Sequence, residues 1–215
     1  STLPLADKKR EARALAAAGM EMLDCTISGN PRYIAAKTAA IFVGGDKPSF
    51  ARHRAVLDAI TANVTHVGGF GAGRMAKFIA FYLVIAHTQA AAEAFTLATK
   101  AGLDPKDFFD AVAGSQASSA MLETRGKLMV THDYSSYPGK LPARARSFEN
   151  LAKLAQALGG DYPMLEAINR TLADAEAAGF TDRDVSSVFE YLLQVAGADP
   201  ADPSATFAFL DEDVG

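Results

Sequence analysis

The chain contains no tryptophan and a single cysteine, Cys25. One thiol cannot make an internal disulfide, so the fold must rest on its core, and a reducing, cytoplasmic setting is expected. Cys25 lies in a strand-like run and reads as a buried, inert thiol. No uninterrupted apolar run reaches about 18 residues and no secretory signal pattern is present, so neither a membrane span nor export is expected. His53, His66, His87 and His132 show no metal spacing with one another or with Cys25, so no metal is expected. There is no G-x-S-x-G motif of a serine hydrolase. Charge of one sign is also scarce: 21 Lys and Arg against 25 Asp and Glu give a net charge of −4. That balance argues against a nucleic-acid or anionic-membrane partner.

What is present is enough for a real core. The 215 residues are 49% hydrophobic, sufficient for one large or two small domains. Residues 6–18 have helical composition and end at Gly19. Met20–Ile27 reads as a strand broken by Ser28-Gly29-Asn30-Pro31, and Thr38–Val43 as a second, cut by Gly44-Gly45. Phe50–Ala62 carries helical apolar spacing, and Val64–Val67 reads as a third strand. Strand and helix thus alternate to about residue 68, the α/β signature. Beyond Gly73 the strands stop, and helices follow to about residue 196, with a tail whose Phe207, Phe209 and Leu210 are its apolar elements. The expected division is 1–70, α/β, and 71–215, all helical.

The predicted helix after Gly71-Ala72-Gly73 runs to about Lys100. From Met75 to Ala86 it is apolar on every side except at Lys77, and a helix apolar all round is a buried one. Burial and the positive end of the helix dipole both disfavour an ammonium ion, which moves a lysine toward proton transfer at neutral pH. The alternative is a lysine that snorkels to water. Gly71-Ala72-Gly73 is not a dinucleotide fingerprint, because Ala76 stands where the third glycine belongs. Ser28-Gly29-Asn30 follows a strand, where ligands collect in open α/β sheets. Its backbone N–H groups and serine hydroxyl suit an anion, and an ordinary turn is the competing reading. Asp24, inside the strand, could orient a neighbour or cap a turn, and the structural role is the default. Arg74, Arg144 and Arg146 could meet a carboxylate or phosphate, with solvation the default.

In order, these pieces resemble the β-hydroxyacid dehydrogenase family, which includes 3-hydroxyisobutyrate dehydrogenase-like and 6-phosphogluconate dehydrogenase-like enzymes. Ser1-Thr2-Leu3-Pro4 resembles its S-T-x-x-P turn, and residues 24–30 resemble D-A-P-V-S-G-G. Residues 40–45 resemble L-x-x-M-V-G-G, residues 71–77 resemble G-x-G-x-x-x-K, and residues 184–189 resemble D-x-S-S-V-F. The resemblance implies the C-terminal part of a Rossmann-type domain, joined by a long helix to a helical 6-phosphogluconate dehydrogenase-like domain. It implies an NAD- or NADP-dependent oxidoreductase acting on a small hydroxy acid or a related alcohol and carbonyl. Lys77 would be the general acid/base. Ser28, Gly29 and Asn30 would hold the substrate carboxylate, and Thr2 would lie beside the cofactor. A homodimer or homotetramer built on the long helix is implied too.

Three positions depart from the family pattern. Phe81 stands where relatives carry the substrate-binding Asn four residues after the lysine, which implies either a larger or less polar substrate or a loss of activity. Asn30 replaces the second glycine of S-G-G, and residues 147–152 lack the lysine and aspartate of the family's K-D-L-x-L-A segment. The N-terminal G-x-G-x-x-G unit through which relatives bind NAD or NADP is not in the sequence, which leads one to expect that this is part of a longer protein. The rival reading is a catalytically impaired homologue or fragment that serves as a dimerisation or binding module.

Overall fold

The computed structural model describes residues 3–135 and 139–199. Thr2 and the apolar residues of the tail lie outside the described residues. Packing of the α-carbons divides the chain into one unit up to Phe81 and another from Tyr82.

In the first unit, α1 (Leu5–Ala17) leads to β1 (Asp24–Ser28), and a short helix α2 (Pro31–Ala35) to β2 (Ala40–Gly44). Helix α3 (Lys47–Ile60) and β3 (Asn63–Gly68) complete the sheet, and α4 (Ala72–Lys100) begins here. Among the described residues the strands make one sheet in the order β1-β2-β3. It is mixed: β1 runs antiparallel to β2, with Asp24 opposite Gly44 and Ser28 opposite Ala40, whereas β2 and β3 are parallel. The parallel pair is the one joined by a helical crossover, α3. Ile41, Val43, Leu57 and Val64 form the core, with Leu23, Cys25 and Phe50 packed against it. Cys25 is half-buried rather than sealed, and burial, followed by the charge of Asp24, pushes its thiol pKa up.

Two details differ from the sequence pattern. Met20–Leu23 precede β1 rather than belonging to it. Helix α2 was hidden because it is one turn of Pro31-Arg32-Tyr33-Ile34-Ala35; it forms because Asn30 caps it, its side chain accepting from the N–H groups of Arg32 and Tyr33 at 2.9 and 3.3 Å.

The second unit is helical: the rest of α4, α5 (Pro105–Val112), α6 (Ala120–Thr131), α7 (Leu141–Leu158), α8 (Pro163–Ala177), a 3-10 turn (Val185–Ser187) and α9 (Val188–Ala196). Asp104 and Ser119 cap α5 and α6 by accepting backbone N–H groups, and His132 ends α6 in the left-handed region at φ 52°. Phe95, fully buried, meets Phe108 and Phe189 edge-on at 5.5 and 6.0 Å. Met129, Leu141, Phe148, Leu172 and Val185 complete this core.

Helix α4 is not wrapped by its own chain along its whole circumference. Ile79 is 52% exposed, Leu83 50% and Leu97 70%. By length and composition α4 is apolar enough to cross a membrane, more than the absence of a long uninterrupted apolar run had suggested. The core helix of a globular unit passes the same test, and α4 buries Thr88, Thr96 and Thr99, whose hydroxyls bond back to carbonyls one turn earlier.

Candidate active site

The site is set by how the first turn of α4 meets β1. Gly73 lies against backbone with no room for a side chain: a Cβ there would stand 2.2 Å from Asp24 O and 2.7 Å from Phe42 O. Gly44 is equally tight, its Cβ position lying 2.6 Å from Gly69 O and 2.8 Å from Gly73 N. The glycines at this junction therefore serve close helix-to-strand approach and not a phosphate cradle.

Two side chains of β1 then fasten the helix. Asp24 and Thr26 are two apart, so they share a face of the strand, and both are buried. The Asp24 carboxylate accepts from the Arg74 N–H at 2.8 Å through Oδ2. The Thr26 hydroxyl donates to Gly73 O at 2.6 Å. A carboxylate on the opening turn of a helix satisfies an otherwise orphaned N–H and complements the helix dipole. The other oxygen of Asp24 is paired with the ammonium of Lys8, which reaches in from α1 and is only 4% exposed. The Arg74 guanidinium stacks over the Phe78 ring, 4.4 Å from its centroid, and donates to Leu3 O at 2.9 Å.

One turn further, in the second turn of α4, the half-buried Lys77 donates from Nζ to Ile27 O at 2.6 Å. Ile27 is the residue before Ser28, so the amine stands at the end of β1, beside the Ser28-Gly29-Asn30 turn. Gly29 sits at φ +148°, and a Cβ on it would meet Ala39 Cβ at 3.0 Å and Tyr33 Cβ at 3.1 Å. Its missing side chain thus faces packed neighbours. Asn30 spends its side-chain oxygen on capping α2. Phe81 lies four residues after Lys77, on the same helical face. The structure therefore brings Lys77 to the turn after β1, while Thr2 is outside the described residues.

Other candidates have partners of their own. His66 and His53 bond to the carbonyls of Gly45 and Ser49. Among the described residues no group of three His, Cys, Asp or Glu side chains could hold a metal ion. Residues 147–152 lie within α7, with Phe148 and Leu151 in the core and Glu149 paired to Lys153 at 2.7 Å.

The chain matches known families over nearly all of its described length. Residues 1–68 match the NAD binding domain of 6-phosphogluconate dehydrogenase. Residues 71–192 match the family described as the NAD-binding domain of NADP-dependent 3-hydroxyisobutyrate dehydrogenase. The chain belongs to the β-hydroxyacid dehydrogenase family. It is 31% identical over 197 residues to 2-hydroxy-3-oxopropionate reductase of Escherichia coli K12, covering 91% of this chain and 67% of that one. It is 30% identical to L-threonate dehydrogenase of E. coli O6:H1, with coverage of 88% and 63%. It is 36% identical over 143 residues to a probable 3-hydroxyisobutyrate dehydrogenase of Mycobacterium tuberculosis, with coverage of 66% and 45%. The chain thus spans between about half and two thirds of the length of these relatives. The crystal structure of 3-hydroxyisobutyrate dehydrogenase from Salmonella typhimurium superposes with a TM-score of 0.80 at 31% identity, over 89% of this chain and 67% of that one. The M. tuberculosis enzyme, solved with L-serine, gives a TM-score of 0.74 at 27% identity, over 89% and 68%. The fold is that of this family: an α/β part followed by helices.

Two residues at the junction escaped the reading of the sequence as functional candidates. Lys8 sits within Lys8-Lys9-Arg10, where nothing distinguishes one cation from the next. The available signal was its register: Leu5, Lys8, Ala12 and Leu15 share one face of α1, so Lys8 occupies an inward position. Thr26 reads as an ordinary strand residue, and only its spacing of two from Asp24 hints that both point the same way.

Proposed function

We propose that the native protein is an NAD- or NADP-dependent oxidoreductase that interconverts a β-hydroxy acid, or a related alcohol, and its carbonyl partner. The observation that supports it is the Lys77 amine held 2.6 Å from Ile27 O, next to the Ser28-Gly29-Asn30 turn. An amine that donates to the carbonyl of a strand end is positioned to take the proton of a substrate hydroxyl and to return it in the reverse direction. The nicotinamide cofactor, when bound, accepts or supplies the hydride at the same carbon. The Ser28 hydroxyl and the Gly29 backbone N–H meet the substrate carboxylate, and Asn30 meets it through its amide nitrogen, because its oxygen caps α2. Phe81 places an apolar ring beside the amine, which favours a substituent larger or less polar than a hydroxylated chain.

The names of the relatives support the same chemistry. L-serine, present in the M. tuberculosis structure, carries a hydroxyl on the carbon β to its carboxylate. In this reading residues 1–70 close a Rossmann-type cofactor domain and residues 71–215 form the helical substrate and dimerisation domain. The outward Leu83 and Leu97 of α4 suit a homodimer or homotetramer, and the protein works in the cytoplasm.

Lys77→Met in the full-length polypeptide tests the reading. Turnover should fall by about 10²–10⁴-fold, the span of a lost general acid/base, with NADH and NADPH affinity retained. Activity within a few-fold of wild type on substrates such as 3-hydroxyisobutyrate, L-threonate or L-serine would remove Lys77 from the mechanism.

A further inference from the structure

We infer that Lys8 and Asp24 are positioning residues for the Lys77 amine, an inference that rests on the acid/base role proposed above. Strand β1 acts as a ruler laid along the start of α4. At its head, Asp24 Oδ2 holds the Arg74 N–H at 2.8 Å. In its middle, the Thr26 hydroxyl holds Gly73 O at 2.6 Å. At its far end, Ile27 O holds Lys77 Nζ at 2.6 Å. The first two contacts fix the helix in register and rotation, and the third is where that register is used. A shift of α4 along the strand moves the amine away from the Ser28-Gly29-Asn30 turn by the same amount.

Lys8 is what orients the head of the ruler. Asp24 is 1% exposed and Lys8 4%. The Lys8 ammonium holds one oxygen of the Asp24 carboxylate, which leaves the other turned onto the Arg74 N–H. As a stabilising device the pair is a poor choice. A buried ion pair gains little over apolar residues of the same volume, and the Lys8 cation stands near the positive end of α1. Leu5, Ala12 and Leu15 share its helix face, so an apolar residue would suit the position better for packing alone. The pair earns its place by direction: it orients one carboxylate oxygen onto one N–H, one turn ahead of the reacting amine.

The test is a double-mutant cycle in the full-length polypeptide: wild type, Lys8→Met, Lys77→Met and the double variant. Steady-state kinetics are measured on 3-hydroxyisobutyrate, L-threonate or L-serine, whichever the wild type turns over fastest, alongside thermal denaturation and NADPH binding. Lys8→Met should lower kcat about 10- to 100-fold, the cost of an amine displaced by about an ångström, with KM for the cofactor changed less than about twofold. In the Lys77→Met background the same substitution should cost less than about twofold, since a residue acting through Lys77 has nothing left to position. Equal losses in both backgrounds, or a change in KM alone, overturn the inference and make the pair merely structural. If Lys8→Met does not fold, Thr26→Val carries the same cycle with the same two outcomes, at a loss of about fivefold to tenfold. An active Lys77→Met, or a wild type that binds neither NADH nor NADPH, instead overturns the oxidoreductase reading and this inference with it.

Discussion

Each unit of the molecule buries a carboxylate against a buried cation, and the two pairs are built differently. In the first unit, Asp24 divides its oxygens: Oδ1 to Lys8, Oδ2 to the Arg74 N–H. In the second, Asp184 loads one oxygen with three donors: Arg125 Nε at 3.0 Å, Ser186 N–H at 3.0 Å and the Ser186 hydroxyl at 2.7 Å. Among the described residues its Oδ2 is buried without a hydrogen-bond partner. The Asp24 pair links three separate segments, α1, β1 and the start of α4. The Asp184 pair ties α6 to the turn before α9 and caps that turn. The first is arranged to direct a backbone and the second to close a loop, so burial and charge alone do not distinguish an orienting pair from a locking one. What distinguishes them is where the second oxygen goes.

Breaking each pair from its cationic side is the sharpest way to separate them. Arg125→Met leaves the Asp184 charge buried and uncompensated, which costs about 3–5 kcal/mol. At about 2–4 °C per kcal/mol for a chain of this size, the melting temperature should fall by roughly 6–20 °C. Below that transition the variant should turn over at close to the wild-type rate. Lys8→Met should cost comparable stability but also lose turnover. Calorimetry paired with kinetics at a temperature where both variants are folded reads the difference. A loss of kcat in Arg125→Met equal to that in Lys8→Met would erase the distinction.

Glycines sharpen the same contrast at a smaller scale. Gly73→Ala drives a Cβ to within 2.2 Å of Asp24 O and 2.7 Å of Phe42 O, both backbone atoms that cannot turn aside. Overpacking of this kind costs about 1–3 kcal/mol or more, and relief requires α4 to lift from β1, so activity should fall with stability. Gly126→Ala in the second unit meets Phe109 and Phe95 ring atoms at 3.1 and 3.3 Å. Rings can shift by a few tenths of an ångström, so the cost should be about 1 kcal/mol or less, without loss of turnover. Urea denaturation and kcat of the two variants check both halves.

The contrast also shows what was legible in the residues. The long helix, the α/β-to-helical change near residue 70 and the lysine one turn beyond the glycines follow from spacing and composition, because they are local properties of the chain. The Ser28-Gly29-Asn30 turn and the Lys77 amine lie about fifty residues apart, and their meeting at Ile27 O depends on register that no local pattern encodes. Lys8 was illegible for a related reason. Its partner is a strand residue sixteen positions away, and register shows only that Lys8 faces inward, not what it meets there. The antiparallel placement of β1 was similarly hidden, because strand direction is decided by the connection through α2 and not by the strand itself. Asn30 shows a further case: its side-chain oxygen caps α2, a helix too short for the sequence pattern to reveal.

The smallest expected effect concerns a third carboxylate, Glu190, which is partly open to solvent. One of its oxygens accepts from the Tyr134 hydroxyl and pairs with His132 Nδ1, each at 2.6 Å. Tyr134 is itself buried, and burial, followed by the hydrogen bond and charge of Glu190, raises its pKa well above the usual phenol range. The sign follows from linkage. The unfolded chain ionises its tyrosine near pH ~10 while the folded one keeps its proton, so the stability that Tyr134 contributes is present below that pH and drains away above it. Tyr134→Phe removes one hydrogen bond to a carboxylate that keeps His132, at a cost of about 1 kcal/mol at neutral pH. The same substitution should flatten the decline in stability between about pH 9.5 and 11. Urea denaturation of both proteins across that range measures it. Parallel declines would mean that the Tyr134 hydroxyl does not hold its proton against Glu190, and that this open carboxylate, unlike the two buried ones, constrains nothing.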